Sequence, residues 1–160
     1  MLWASRVKRL ANSGAMALGL GDRVVFWDRV ASAEMPKHLV GLDVLVLPSL
    51  SRPNWKEQFG RILVEAMACG VPVIGADSGE IPQVIGDGGV VFAQGDVLAL
   101  SEWLARLRQN PALRRKLGGR GRERVLERYT QARIVAQTVA FYESLMHEQA
   151  TAVAQGVYAT

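Results

Sequence analysis

Residues 57–76 read Glu57-Gln58-Phe59-Gly60-Arg61-Ile62-Leu63-Val64-Glu65-Ala66-Met67-Ala68-Cys69-Gly70-Val71-Pro72-Val73-Ile74-Gly75-Ala76. The pattern over Phe59–Cys69 predicts a helix that stops at Gly70, where a helix C-terminal glycine belongs. Val71–Ala76 is short, apolar and rich in Val and Ile, as expected of a strand covered on both faces. Working outward, Asp43–Pro48 and Val90–Ala93 read as strands of the same kind, and so does Arg23–Trp27 upstream. Helical patterns lie between them at Leu2–Leu18, Ala33–Leu39 and Ile81–Ile85. Asp96 can cap a helix through Leu107, and Thr130 can cap Ala132–His147. Alternating helix and strand predict an α/β fold, a Rossmann-like parallel sheet with helices on both faces. The pattern opens on a helix and shows four strands, where a doubly wound sheet begins on a strand and often has five or six.

The rest of the composition agrees with a folded domain. The chain has 160 residues, 49% hydrophobic and 21% charged, which excludes a disordered tail. A single cysteine, Cys69, excludes a disulfide scaffold and points to a reducing, cytoplasmic compartment. Lys8 and Arg9 interrupt any apolar leader, and no apolar run approaches the ~20 residues of a membrane span. The net charge of +4 and the pI near 9.6 are unevenly spread. Residues 62–105 contain six acidic and no basic residues, whereas 106–160 contain ten basic and four acidic. Most of that charge falls in Arg106, Arg108, Arg114, Arg115, Lys116, Arg120, Arg122, Arg124 and Arg128. Such a run can meet an anionic membrane surface, so peripheral membrane contact is one expectation. No aromatic residues interleave for base stacking and no zinc-finger, RRM-like or helix-turn-helix signature accompanies it, so nucleic acid is not an expected partner. The plainer reading is a solvated helical face.

In open parallel sheets, ligands bind beyond the C-terminal ends of the strands. Loops Asp28–Ser32, Ser49–Gln58 and Asp77–Glu80 leave from that edge. The middle loop runs into Phe59-Gly60, where a glycine permits close approach of a ligand to the backbone. The unpaired amides from Phe59 to Ile62 then form an anion site that suits phosphate, with Arg61 adding positive charge. Glu57 and Glu65 bracket this turn. A carboxylate offers two acceptor oxygens and no donor, which suits sugar hydroxyls. The spacing fits a ligand with sugar, phosphates and sugar in sequence. It equally fits a surface Arg61–Glu65 pair at i,i+4, worth about 0.3–0.5 kcal/mol, beside an exposed Glu57.

The stretch Glu57 to Ile74 resembles the E-x7-E signature of retaining GT-B glycosyltransferases, in the branch called glycosyltransferase family 4 or glycosyl transferases group 1. The resemblance extends through Gly19-Leu20-Gly21-Asp22-Arg23-Val24, Asp43–Ser49, Asp77-Ser78-Gly79-Glu80-Ile81-Pro82 and Gly86-Asp87-Gly88-Gly89, covering about Ala11 to Met146. It implies the C-terminal, donor-binding domain of a two-domain enzyme that transfers a sugar from a nucleotide-diphosphate donor to an acceptor with retention. By this resemblance Glu57 is the glutamate at the donor sugar and reaction centre, and Glu65 binds the ribose. Phe59, Gly60, Arg61 and Ile62 form the turn that meets sugar and diphosphate. It also implies no metal and no cofactor beyond the nucleotide-sugar substrate, and the chain has no Asp-x-Asp pair. A helix N-terminus and cations can stabilise a departing diphosphate in a metal's place.

Against that pattern, the domain's opening strand, its glycine-rich loop, its Arg/Lys diphosphate clamp and its second strand are missing, as is the N-terminal acceptor domain. The expectation is an N-terminally truncated C-terminal half of a GT-B fold over residues 1–149, with a frayed tail at 150–160, incomplete and inactive alone. It would need the acceptor domain or a partner chain. Asp28 stands where a glycine is common, and Glu80 in a loop often made of paired glycines. Gly19-Leu20-Gly21 precedes a strand and so is no dinucleotide fingerprint. Gly118-Gly119-Arg120-Gly121 reads as a turn between Arg-rich helical segments. His38 and His147 read as surface residues, Cys69 as a small buried one, and Trp103, Leu104 and Leu107 as core. Two other functions compete: a non-catalytic nucleotide-binding or partner-docking module with an open sheet edge, and a hydrolase using Glu57 and Glu65 as acid and base.

Overall fold

A computed structural model describes residues 11–27 and 30–154. The chain divides into two compact units between Met35 and Pro36. In the first, residues 11–17 are helical (α1), followed by a 3-10 turn at Gly21–Arg23. The part of the expected opening helix before residue 11 lies outside the described residues, as does Asp28. Arg23–Trp27 is not a strand. Residues 24–27 carry no regular secondary structure, and Val25 and Trp27 are 72% and 66% exposed. An apolar β-branched run encodes the preference for a sheet but does not supply the neighbour whose amides and carbonyls a parallel strand needs.

The second unit holds the sheet. Its elements are α2 (Met35–Leu39), β1 (Leu45–Leu47), α3 (Arg61–Ala68), β2 (Val73–Ala76), α4 (Ile81–Ile85), β3 (Val90–Phe92), α5 (Val97–Gln109), α6 (Pro111–Arg128) and α7 (Gln131–Ala154). The three strands lie in the order β1-β2-β3, all parallel, with Leu45 opposite Val73 and Ile74 opposite Val90. β2, the central strand, is buried at all four positions. Side chains alternate across the sheet. Ile74, Ala76, Val90 and Phe92 face α5, where Leu107 is buried and Trp103 and Leu104 pack against the cluster. The other face takes α3 and α4, and Gly75 leaves room for Ile81 and Ile85 of α4.

α6 is one continuous helix, so the turn expected at Gly118–Gly121 is absent. These glycines serve packing: a Cβ on Gly118 would strike the Gly70 carbonyl, and one on Gly121 would lie 2.9 Å from the Gly88 carbonyl oxygen. Residues 70–72 and 86–89 lead into β2 and β3, so α6 crosses the N-terminal edge of the sheet. At helix ends, Asp96 accepts from the Ala99 amide at the start of α5, and Asn110 accepts from Leu113 at the start of α6. The Thr130 hydroxyl accepts from the Arg133 amide, and α7 runs on to Ala154. Residues 155–160 lie outside the described residues. Cys69 is half-buried rather than fully buried, and so is His38; His147 is exposed.

Candidate functional site at the C-terminal edge of the sheet

Beyond β1 the chain makes a long excursion before α3. It contains a tight turn in which Arg52 and Trp55 exchange both backbone hydrogen bonds, at 2.7 and 3.1 Å. Asn54, Trp55, Lys56, Glu57 and Gln58 line an open hollow of about 330 Å³ there. The excursion ends at Gly60, which precedes α3 with φ 70° and ψ 48°, a left-handed conformation that an L side chain adopts only with strain. Its carbonyl accepts from the Leu63 amide at 2.8 Å, so the helix starts sharply. The amides of Arg61 and Ile62 have no intrahelical acceptor and point out of the helix end. At the far end, the Val71 and Gly70 amides bond back to Ala66 and Met67, which ends the helix at the glycine read from sequence.

Glu57 is half-buried and held at three points. Its carboxylate accepts from the Gly60 amide (3.2 Å, Oε1) and from the Ser49 hydroxyl (3.4 Å, Oε2). Its main-chain carbonyl accepts from the Glu80 amide at 3.2 Å, and Gly79 packs directly on that carbonyl where any Cβ would collide. The carboxylate is thus fixed at the head of α3. Glu65 lies in the second turn of the same helix, 27% exposed, and its Oε1 accepts from Arg61 Nε at 2.8 Å. The i,i+4 pair expected as the plain alternative is therefore formed, while Glu57 is half-buried rather than exposed. Phe59 is 41% exposed and meets Tyr129 edge-on, with ring centroids 5.7 Å apart. Phe59, Gly60, Arg61, Ile62, Glu57 and Glu65 are brought together by one loop-to-helix junction.

Four further residues shape this edge. Ser78 is fully buried, and its hydroxyl lies 3.0 Å from that of Ser51. The Gln94 side chain accepts from the Ser51 amide at 2.6 Å and donates to the Asp77 carbonyl at 3.0 Å. Asp77 in turn accepts the Gln94 amide on Oδ1 at 2.7 Å. The loop after β3, residues 93–96, belongs to the same sheet edge as the loops Ser49–Gln58 and Asp77–Glu80 read from sequence, and strand order is the signal that reveals it. Among the described residues no group of three or more His, Cys, Asp or Glu side chains converges on a point. No described helix is long and apolar enough to cross a membrane.

A parallel sheet with a helix N-terminus at its C-terminal edge, bracketed by two carboxylates, places the chain among open-sheet α/β domains, whose ligands bind at that edge. Comparison with known proteins makes this specific. Residues 7–124 match the family described as Glycosyl transferases group 1, and the chain belongs to that family. It is 35% identical over 133 residues to N-acetyl-alpha-D-glucosaminyl L-malate synthase of Bacillus anthracis, covering 82% of this chain and 33% of that enzyme. Among solved structures it resembles Anabaena HepE in complex with UDP, with TM-score 0.76, 25% identity, and coverage of 86% of this chain and 36% of that one. It also resembles the C-terminal domain of the group 1 glycosyl transferase LpcC from Francisella tularensis, with TM-score 0.68, 26% identity, and coverage of 79% and 64%. The fold is accordingly that of the GT-B glycosyltransferases, and the chain spans about a third of the curated relative's length.

Proposed function

We propose that this chain is the donor-binding part of a retaining glycosyltransferase that moves a sugar from a nucleotide-diphosphate sugar to an acceptor, and that it is inactive without the acceptor-binding part. The observation that carries the reading is the fixed Glu57 carboxylate on the Gly60 amide, at the mouth of a helix whose next turn presents Glu65. In this reading Glu57 faces the donor sugar and the reaction centre. The amides of the turn from Phe59 to Ile62 receive the diphosphate, and Glu65 receives the ribose diol, through the carboxylate oxygen that Arg61 does not engage. Helix-end partial charge, Arg61 and Lys56 balance the diphosphate, so no metal or other cofactor is assigned to the site. A reducing, cytoplasmic setting is part of this reading, supported by the single Cys69.

Calorimetric titration with UDP, GDP and their sugar derivatives tests this. Binding in the millimolar range is expected, weakened about tenfold in Glu65→Ala by loss of charge-assisted hydrogen bonds. Absence of heat with every nucleotide at millimolar concentration would end the reading.

A second reading, a nucleotide-binding or docking module without catalysis, draws support from β1. Among the described residues it has a ladder neighbour on one side only, and all three of its residues are half-buried. A persistent complex in solution would favour it, and transfer by a clean monomer would remove it.

A further inference from the structure

Gln94 lies in the turn after β3, outside the motif that marks the family. Its one side chain joins the three loops of the sheet's C-terminal edge. Oε1 takes the Ser51 amide of the loop after β1, and Nε2 gives to the Asp77 carbonyl of the loop after β2. Its own amide, on the loop after β3, gives to the Asp77 carboxylate. The Ser51 hydroxyl adds a second tie to the same middle loop through Ser78, which is fully buried. The other end of the β1 loop is tied to that middle loop as well, since the Glu57 carbonyl accepts from Glu80 and lies against Gly79. The middle loop is therefore the anchor, and the excursion that carries Glu57 is pinned to it at both ends. Ser49, whose hydroxyl donates to the Glu57 carboxylate, stands two residues before the Gln94 tie.

We propose that Gln94 is a positioning residue for Glu57: by tying Ser51 to Asp77 it sets the start of the 49–58 loop, and with it the Ser49 hydroxyl that orients the carboxylate. This rests on the reading that Glu57 faces the donor sugar. The ribose is received by Glu65 of α3, away from the tied loop, and the diphosphate by the turn that leads into that helix. Gln94 accordingly adds more to the affinity for the sugar portion of the donor than to that for the free nucleoside diphosphate. An amide is required, because the residue both accepts and donates. Glutamate keeps the acceptor, loses the donor and places a second carboxylate beside Asp77. Methionine keeps the length and makes neither bond.

Amide hydrogen exchange of the full 160-residue chain tests the tie directly. In Gln94→Met, exchange over residues 50–60 should accelerate about tenfold, as expected for a locally loosened segment, with β2 and α6 unchanged. Gln94→Glu should fall between it and the wild type. Unchanged exchange at 50–60 would overturn the proposal whatever the ligand. In parallel, titrations pair UDP-glucose with UDP and GDP-mannose with GDP. Gln94→Met should lower affinity for the sugar nucleotide more than that for the free diphosphate, so that the ratio of the two affinities falls. A loosened loop with the wild-type ratio of the two affinities would also overturn the proposal. A wild-type chain that binds none of the four nucleotides would refute the donor-site reading itself, and the claim that Gln94 sets Glu57's role in sugar binding would fall with it.

Discussion

The two edges of the sheet use the same residue types for opposite ends. At the C-terminal edge, glycine serves conformation and access: Gly60 starts α3 in a left-handed turn, and Gly79 lets one loop lie on the carbonyl of another. At the N-terminal edge, Gly118 and Gly121 sit inside a helix with ordinary helical geometry and let its backbone touch the strand-leading loops. Cations divide in the same way. Arg61 points along α3 beside the candidate ligand turn. Three arginines of α6 instead close the C-terminal ends of other helices. Arg114 donates to the Leu107 carbonyl of α5 at 2.6 Å, Arg122 to Ala68 of α3 at 2.7 Å, and Arg124 to Gln83 and Val84 of α4 at 2.6 and 2.9 Å. Each meets carbonyls of a last helical turn, at the negative end of a helix dipole. A basic run that looks like a polyanion site in one dimension is, in part, a set of helix caps.

The strongest way to break this contrast is to fill the close approach at the N-terminal edge. Gly118→Val puts a branched side chain where the Gly70 carbonyl sits. It should cost about 3 kcal/mol in urea denaturation, the upper range for overpacking. Nucleotide affinity per folded molecule should stay at the wild-type value. Gly118→Ala should cost less, because alanine regains about 1 kcal/mol of helix propensity. Wild-type stability in the valine variant would mean the two backbones do not meet.

That same helix shows where sequence reading stops. Its buried residues are Leu117, Gly118, Gly121 and Val125, so half of its packing face is glycine. Apolar periodicity detects leucine and valine but is blind to a glycine that packs by having no side chain. The helix around α4 was legible to the residue, Ile81 to Ile85, because isoleucines at both ends are fully buried. At the candidate site, the grouping of Glu57, Gly60, Arg61 and Glu65 was legible because one helix start orders them along the chain. Ser51, Ser78 and Gln94 were not, since their meeting depends on which strands are neighbours. Arg23–Trp27 shows the converse: its apolar, β-branched pattern suits a strand, and residues 24–27 carry no regular secondary structure.

Arg124 sharpens the claim about caps. Its side chain is 14% exposed, and its guanidinium forks between two carbonyls of α4, with Asp87 at 3.6 Å. Arg124→Ala should lower stability by about 2 kcal/mol, as for buried charge-assisted hydrogen bonds. Lysine should recover less than half, because a compact ammonium cannot reproduce a planar fork. Full recovery by lysine would show that charge alone matters, and the comparison with Arg61 would lose its basis in geometry.

The smallest expected effect is the most discriminating for the basic run. Arg120 lies on the same helix, between the two contact glycines in sequence, and is exposed. Unlike Arg122 and Arg124, it has the character of a solvated side chain, so Arg120→Ala should change stability by less than about 0.5 kcal/mol. Because α6 crosses the N-terminal edge while the ligand turn opens at the other, nucleotide affinity should also hold, at low and at moderate salt. A weaker, salt-dependent affinity in Arg120→Ala would mean that the field of α6 reaches the ligand. The run would then be supplying the diphosphate with the cations that residues 62–105 lack, and the division of labour between the edges would fail.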